Sequence, residues 1–191
     1  MRQTLTLNIK LLLVLFGILG FVAPTMALDE LTEKGIQIRG SHGLEVHFKP
    51  YKRHFRAGEP IRFDVEGNRD FYLYLFNLDK DQDEAVMLLP NRYDIKHRYR
   101  LDRAYTVPAK AEFYADKAGL ETLVVIASTQ KLEFSETVYG PSDDSEFYDF
   151  GSAIEAEGII DGLSVDNLPE NEDIVIKRLS LRIGDDESDF L

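Results

Sequence analysis

The chain has 191 residues, 22 Lys and Arg against 34 Asp and Glu, a formal net charge of −12 and no cysteine. Disulfides and thiol chemistry are therefore excluded, and so acidic a domain lacks the positive face that nucleic-acid phosphates require. The charge is uneven. Residues 28–132 balance seventeen bases with seventeen acids, whereas Glu133 to Leu191 sets seventeen acids against Lys177, Arg178 and Arg182. The acidic part reads as a solvated surface, with a cationic partner or Ca²⁺ as the sharper alternative.

Residues 1–27 have the form of a secretory signal peptide. Arg2 and Lys10 supply the positive start, Leu11 to Val22 the apolar run, Pro24 the break, and Thr25-Met-Ala27 the small residues of a cleavage site. The run is shorter than the ~20 residues that span a bilayer, so cleavage after Ala27 is expected rather than retention as an anchor. No cysteine follows to take a lipid, and no later segment is apolar enough to cross a membrane. The expected organisation is a signal peptide over 1–27, one β-rich domain over 28–184 and an acidic tail over 185–191. Export without disulfides suits the periplasm or surface of a bacterium.

Ile36-Gln-Ile38 reads as a short strand after the polar lead-in Leu28 to Gly35, followed by the turn residues Gly40-Ser-His-Gly43. Leu44, Val46 and Phe48 then alternate with Glu45 and His47, and Ile61, Phe63 and Val65 with Arg62 and Asp64, the period of half-buried strands. Phe71 to Leu78 carries β-formers on both faces and reads as a central strand, covered on one side by core and less completely on the other. Asp79 to Asp83 is a turn and Glu84 to Leu89 the returning strand, a hairpin that Pro90-Asn91 ends. Arg92 to Arg103 is a charged connection, Tyr105-Thr-Val-Pro108 a brief extended piece, Phe113-Tyr114 an edge strand, and Glu121 to Ala127 a strand buried on both faces.

Phe147, Phe150 and Ile154 fall at helical spacing, which predicts one short helix within 143–156, and Gly158 to Asn171 reads as turns. Ile174 to Ile183 alternates again and closes the domain, and Gly184 to Leu191 reads as a fraying acidic tail. Short strands with scarcely any helix predict a mostly β fold, an antiparallel β-sandwich or open barrel with one or two short helices.

Five pieces in order carry a family resemblance. Phe55-Arg-Ala-Gly-Glu-Pro-Ile-Arg-Phe63, Asp70-Phe-Tyr-Leu-Tyr-Leu-Phe-Asn-Leu-Asp79, Val86-Met-Leu-Leu-Pro-Asn91, Tyr105-Thr-Val-Pro108 and Gly119-Leu-Glu-Thr-Leu-Val-Val-Ile-Ala-Ser128 together resemble the bacterial domain family DUF4384. The resemblance covers residues 51–134, leaving 135–184 as a C-terminal extension. It departs at the hairpin turn, which has no Gly here, and at Leu89, where the family has an aromatic. It implies a β-rich domain found in many otherwise unrelated proteins, and it brings no catalytic residues with it.

Asp79, Asp81 and Asp83 alternate like the first ligands of a Ca²⁺ loop, but Glu84 and Pro90 stand where an EF-hand needs Gly and Glu. They remain weak Ca²⁺ candidates. His42, His47, His54 and His97 have no metal-ligand spacing, and neither a nucleophile elbow nor a Gly-rich phosphate loop is present. The basic, aromatic segments Lys49 to Arg56 and Arg92 to Arg100 have two readings: edge-blocking charge or a mate for the acidic C-terminal part, or a partner surface. Arg92, Tyr93, Lys96, Arg98, Tyr99 and Arg100 are the partner-binding candidates.

The expected function is therefore an exported, non-catalytic accessory or protein-interaction module of the bacterial envelope. It would work without a cofactor, bind another envelope protein and bind no nucleic acid. The alternative is a ligand-binding module for Ca²⁺ or carbohydrate. The sequence leaves the oligomeric state open.

Overall fold

The computed structural model describes residues 28–52, 54–134, 145–163, 169 and 171–185. The expected signal peptide, residues 135–144 of the C-terminal extension and the tail beyond Asp185 lie outside the described residues. In chain order the strands are β1 (Asp29–Glu30), β2 (Ile36–Arg39), β3 (Glu45–Pro50), β4 (Phe55–Arg56), β5 (Phe63–Gly67) and β6 (Phe71–Asp79). There follow β7 (Glu84–Leu89), β8 (Arg98–Tyr99), β9 (Tyr105–Val107), β10 (Gly119–Ser128), β11 (Tyr148–Asp149), the helix α1 (Ala153–Asp161) and β12 (Ile174–Gly184).

The strands form two sheets that close no barrel. The larger runs β1-β12-β10-β6-β7-β11, with β4 beside β12 and β8 beside β6, and the smaller runs β2-β3-β5-β9. Alternation decides which face each strand buries. On β3, Val46 and Phe48 are buried while Glu45 and His47 face solvent. On β6, Leu73 and Leu75 face the smaller sheet, where they join Phe48, Phe63, Val125 and Leu181 in the sandwich core.

Tyr74, Phe76 and Leu78 of β6 face the other way, into a second cluster with Val124, Ile126, Phe134, Phe150, Ala156 and Ile160. The large sheet is thus a middle layer. Its outer face is sealed by α1 and a set of edge-on rings, Phe150 lying 5.0 Å from Phe76 and 5.7 Å from Phe134. Truncating a fully buried ring of this kind to alanine costs about 3–5 kcal/mol.

The helix is one element displaced from its expected place. Over 143–156 the spacing of Phe147, Phe150 and Ile154 predicts a helix, but Tyr148–Asp149 instead adds a strand to the open edge of β7, Tyr148 opposite Met87. Gly151, at φ +85°, turns the chain. Ser152 then caps α1, its hydroxyl accepting from the Glu155 N–H at 3.1 Å. Helical backbone continues to Asp161 through the start of a stretch read as turns, and Ile154, counted toward the apolar face, is 74 % exposed. Phe113, expected in an edge strand, makes a single bridge to Ile61.

The segments outside 51–134, where the resemblance lies, complete both sheets. β2 and β3 are half of the smaller sheet, and β12 lies inside the larger one, paired with β10 from Gly119 opposite Ile183 to Ser128 opposite Ile174. Asp173, only 1 % exposed, locks the two sheets together at this end. Its carboxylate accepts from the N–H groups of His42 at 2.8 Å and Leu44 at 2.9 Å, in the β2–β3 turn. Arg69 lies 3.8 Å away, and a side chain at Gly40 would collide with this carboxylate.

Candidate functional site

The loop from Asn91 to Arg103 is fixed by buried polar groups at its base. Asn91 has no exposed surface. Its side-chain oxygen accepts from the N–H of Tyr93 at 2.9 Å and of Asp94 at 2.7 Å, and its amide donates to the Leu88 carbonyl at 2.8 Å. Asp94, also buried, accepts from the N–H of Lys110 and of Ala111, each at 2.9 Å. This Asx turn explains the Pro-Asn stop in physical terms: the asparagine ends β7 and aims the next residues outward.

Further along, the Leu73 N–H donates to the His97 carbonyl at 3.0 Å. The Leu101 N–H and Arg98 Nη2 both donate to the Asp70 carboxylate at 3.1 Å. His97 lies against the rings of Tyr72 at 5.5 Å and Tyr74 at 4.8 Å. Its Nδ1 stands 2.9 Å from the Ile95 carbonyl, which makes Nδ1 the protonated nitrogen, while Nε2 is buried without a hydrogen-bond partner among the described residues. Burial holds its pKa below the ordinary histidine value of 6.5.

Of the partner-binding candidates, Arg92, Tyr93, Lys96, Arg98 and Arg100 lie on the outside of this loop. Tyr93 is 48 % exposed, with Ile95 and Leu101 exposed beside it. Arg98 is committed to Asp70 and lies 6.0 Å over the Tyr72 ring. Arg92, Lys96, Arg100 and Arg103 form no ion pair among the described residues, and so none with the acidic C-terminal part described there.

Tyr99 is a correction. It is 6 % exposed, stacked on Phe71 at 5.5 Å and edge-on to Tyr105 at 4.9 Å, and burial raises its pKa well above the ordinary phenol range. Alternation along β8 turns it inward between two outward arginines, so it supports the loop from beneath instead of meeting a partner.

The three aspartates of the hairpin tip do not converge. Asp79 accepts from the N–H groups of Asp81 at 2.9 Å and Gln82 at 3.0 Å and from the Gln82 side chain at 2.9 Å, which lowers its pKa. Asp83 holds φ +53° and accepts from the Ile154 N–H at 3.4 Å, at the start of α1. Among the described residues no three metal-ligating side chains gather anywhere. In the other basic segment, Lys52 pairs with Glu59 and Phe55 is buried, leaving Tyr51 exposed at its start.

A feature not legible in the sequence is a cleft of about 240 Å³ where the large sheet outreaches the small one. Its floor is Val86, Leu88, Leu123 and Leu181, and its walls include Ile61, Phe63, Phe113 and Phe147. The ladder between β6 and β7 shifts register beside Leu75, which lets Leu88 as well as Leu89 lean toward the sandwich side. At the mouth stand Asp79, Asp116, Lys117 and Glu121, with Asn77 donating to Glu121 Oε2 across the strands at 2.8 Å. The register of β6 with β10, which sets Asn77 opposite Leu123, brings the Asn77 amide within reach of Glu121.

The fold is that of a mostly β, two-sheet sandwich with a helix-covered outer layer. Residues 54–131, the segment from β4 to β10, match the family described as "Domain of unknown function (DUF4384)". No curated protein and no solved structure matches the chain.

Proposed function

We propose that the protein is an exported, non-catalytic interaction module of the bacterial cell envelope, and that its contact surface is the 91–103 loop. One observation carries this reading: the loop exposes Tyr93, Ile95 and Leu101 among Arg92, Lys96 and Arg100 on a base fixed by Asn91 and Asp94. A surface ordered before binding loses little conformational entropy on docking. Arginine and tyrosine are the residue types that contribute most at protein interfaces, and cations that form no ion pair among the described residues suit an acidic partner protein. The export half rests on the signal-like pattern of residues 1–27.

Photo-cross-linking in living cells tests the reading. With the cross-linker at position 93 or 95, one discrete adduct is expected, weakened by Lys96→Glu with Arg100→Glu and absent with the cross-linker at Glu30, exposed on β1 at the end of the large sheet opposite β7. No adduct, or the same adduct from position 30, overturns the contact surface. N-terminal sequencing of envelope-fraction protein checks export separately, the expected first residue being Leu28.

The ligand-binding alternative draws on the cleft and not on the aspartate turn. Its Ca²⁺ version predicts a melting temperature that rises in millimolar Ca²⁺ and falls back with EDTA.

A further inference from the structure

The cleft beside β7 has an anatomy that the interaction loop does not explain. Val86 and Leu88 lie mid-strand and only half-buried, because the small sheet ends short of them and, among the described residues, Phe113 to Lys117 and Phe147 are what lean over. Apolar side chains in a well-formed concavity are what a ligand's apolar part would cover. The mouth, in contrast, is charged, with Asp79, Asp116 and Glu121 facing a single cation, Lys117.

The carboxylates are not equivalent. Asp79 is taken up by the N–H groups and side chain of its own turn, and Lys117 acts on it electrostatically. Glu121 is oriented by the Asn77 amide and, like Asp116, forms no ion pair among the described residues. The cleft therefore pairs an apolar floor with two carboxylates that form no ion pair among the described residues.

We propose that this cleft receives the side chain of a lysine or arginine carried by a partner polypeptide. Its aliphatic stem lies on Val86, Leu88 and Leu123, and its charged head reaches Glu121 and Asp116. Long basic side chains bury their stems while keeping the charge at a polar rim, and a carboxylate at that rim makes the hydrogen bond charge-assisted. About 240 Å³ suits one such side chain and not a folded element. Leu88 also accepts the Asn91 amide at the base of the loop, so cleft and loop are neighbours. The inference extends the interaction reading, yet its test uses small probes and needs no partner.

Protein expressed from the full-length chain, with labelled Val and Leu methyl groups, is titrated with pentylammonium, pentanoate and pentanol and followed by NMR. Pentylammonium is expected to shift the Val86, Leu88 and Leu123 methyls saturably, with a dissociation constant on the order of millimolar, the range open to so small a ligand. Glu121→Gln should weaken it roughly tenfold, the size of one charge-assisted contact, and Asp116→Asn less. Unchanged folding of both variants is read from the remaining methyl signals. Three results overturn the proposal: equal shifts with pentanoate or pentanol, no saturation with pentylammonium, or both variants titrating like the parent protein. Failure here with a surviving cross-link at position 93 would leave the loop intact as a contact surface.

Discussion

The two turns that flank β7 are built in opposite ways. At its start the hairpin tip is closed from within by Asp79, which satisfies Asp81 and Gln82 two and three residues away, and its two contacts beyond the turn, Asp83 with the Ile154 N–H and Lys80 with Glu157, go to α1 in solvent. At its end the 91–103 loop adds to the local Asn91 turn buried and distant holds: Asp94 reaches Lys110 and Ala111, and Asp70 reaches Arg98 and Leu101. A turn closed by solvent-exposed bonds can be acidic and polar at little consequence. A loop pinned from elsewhere keeps its outward side chains in one arrangement, which is what a binding surface needs.

The largest effect that separates the two turns should come from the pins. Asn91→Ala or Asp94→Ala strands buried backbone N–H groups and is expected to cost about 2–3 kcal/mol. In a domain of this size that lowers the melting temperature by about 5–10 °C, and calorimetry reads it directly. The position-93 cross-link should weaken in parallel.

Next comes acid. With the folded His97 pKa held below 6.5 by burial, the unfolded chain takes up the proton first. Stability should therefore fall as pH drops below 6.5 and level off once the folded form is protonated as well. Protonation would place an N–H at the buried, unpartnered Nε2, facing Tyr72 and Tyr74, with Lys131 and Glu133 the nearby charges. In His97→Gln that slope should flatten in a thermal-melt series against pH, while Asp79, held below its ordinary value of 3.8 by the bonds of its turn, stays charged across this window.

Smaller still, Asp79→Ala removes only solvent-exposed turn bonds and should cost about 0.5–1 kcal/mol in urea unfolding. Smallest is Tyr93→Ala. It should leave stability within about 0.5 kcal/mol and yet weaken partner capture in a cross-linking assay from position 95. A stability loss as large as that of Asn91→Ala would instead make Tyr93 part of the support and erase the contrast between the pins and the surface they present.

The same division between local and distant explains what the sequence makes legible. Strands whose faces alternate, such as β3 and β5, are readable because each residue's environment follows from its neighbours. So are the hairpin of β6 and β7 and the family segment. The helix is misplaced because aromatic spacing outweighs a local signal: Ser152-Ala-Ile-Glu155 has the capping-box spacing that marks a helix start, while Phe147 and Phe150 pack before it. Tyr99 looks like a surface residue among arginines because β8 has only two residues, too few to show a period. Asp173, Asp94 and the Asn77–Glu121 pair depend on partners 129, 16 to 17 and 44 residues away, and no pattern in the chain announces them.

The position of β12 has a consequence for how the molecule comes into being. Synthesis delivers β10 well before β12, yet β12 is the partner that covers one whole side of β10 and that receives β1 and β4. Until residues 174–184 emerge, the long apolar strand Leu123 to Ala127 has an open hydrogen-bonding edge and β1 and β4 have no strand to pair with, whereas β2, β3, β5 and β9 already have one another. The larger sheet is therefore the one that closes last, and β10 is the segment whose apolar edge waits longest for cover.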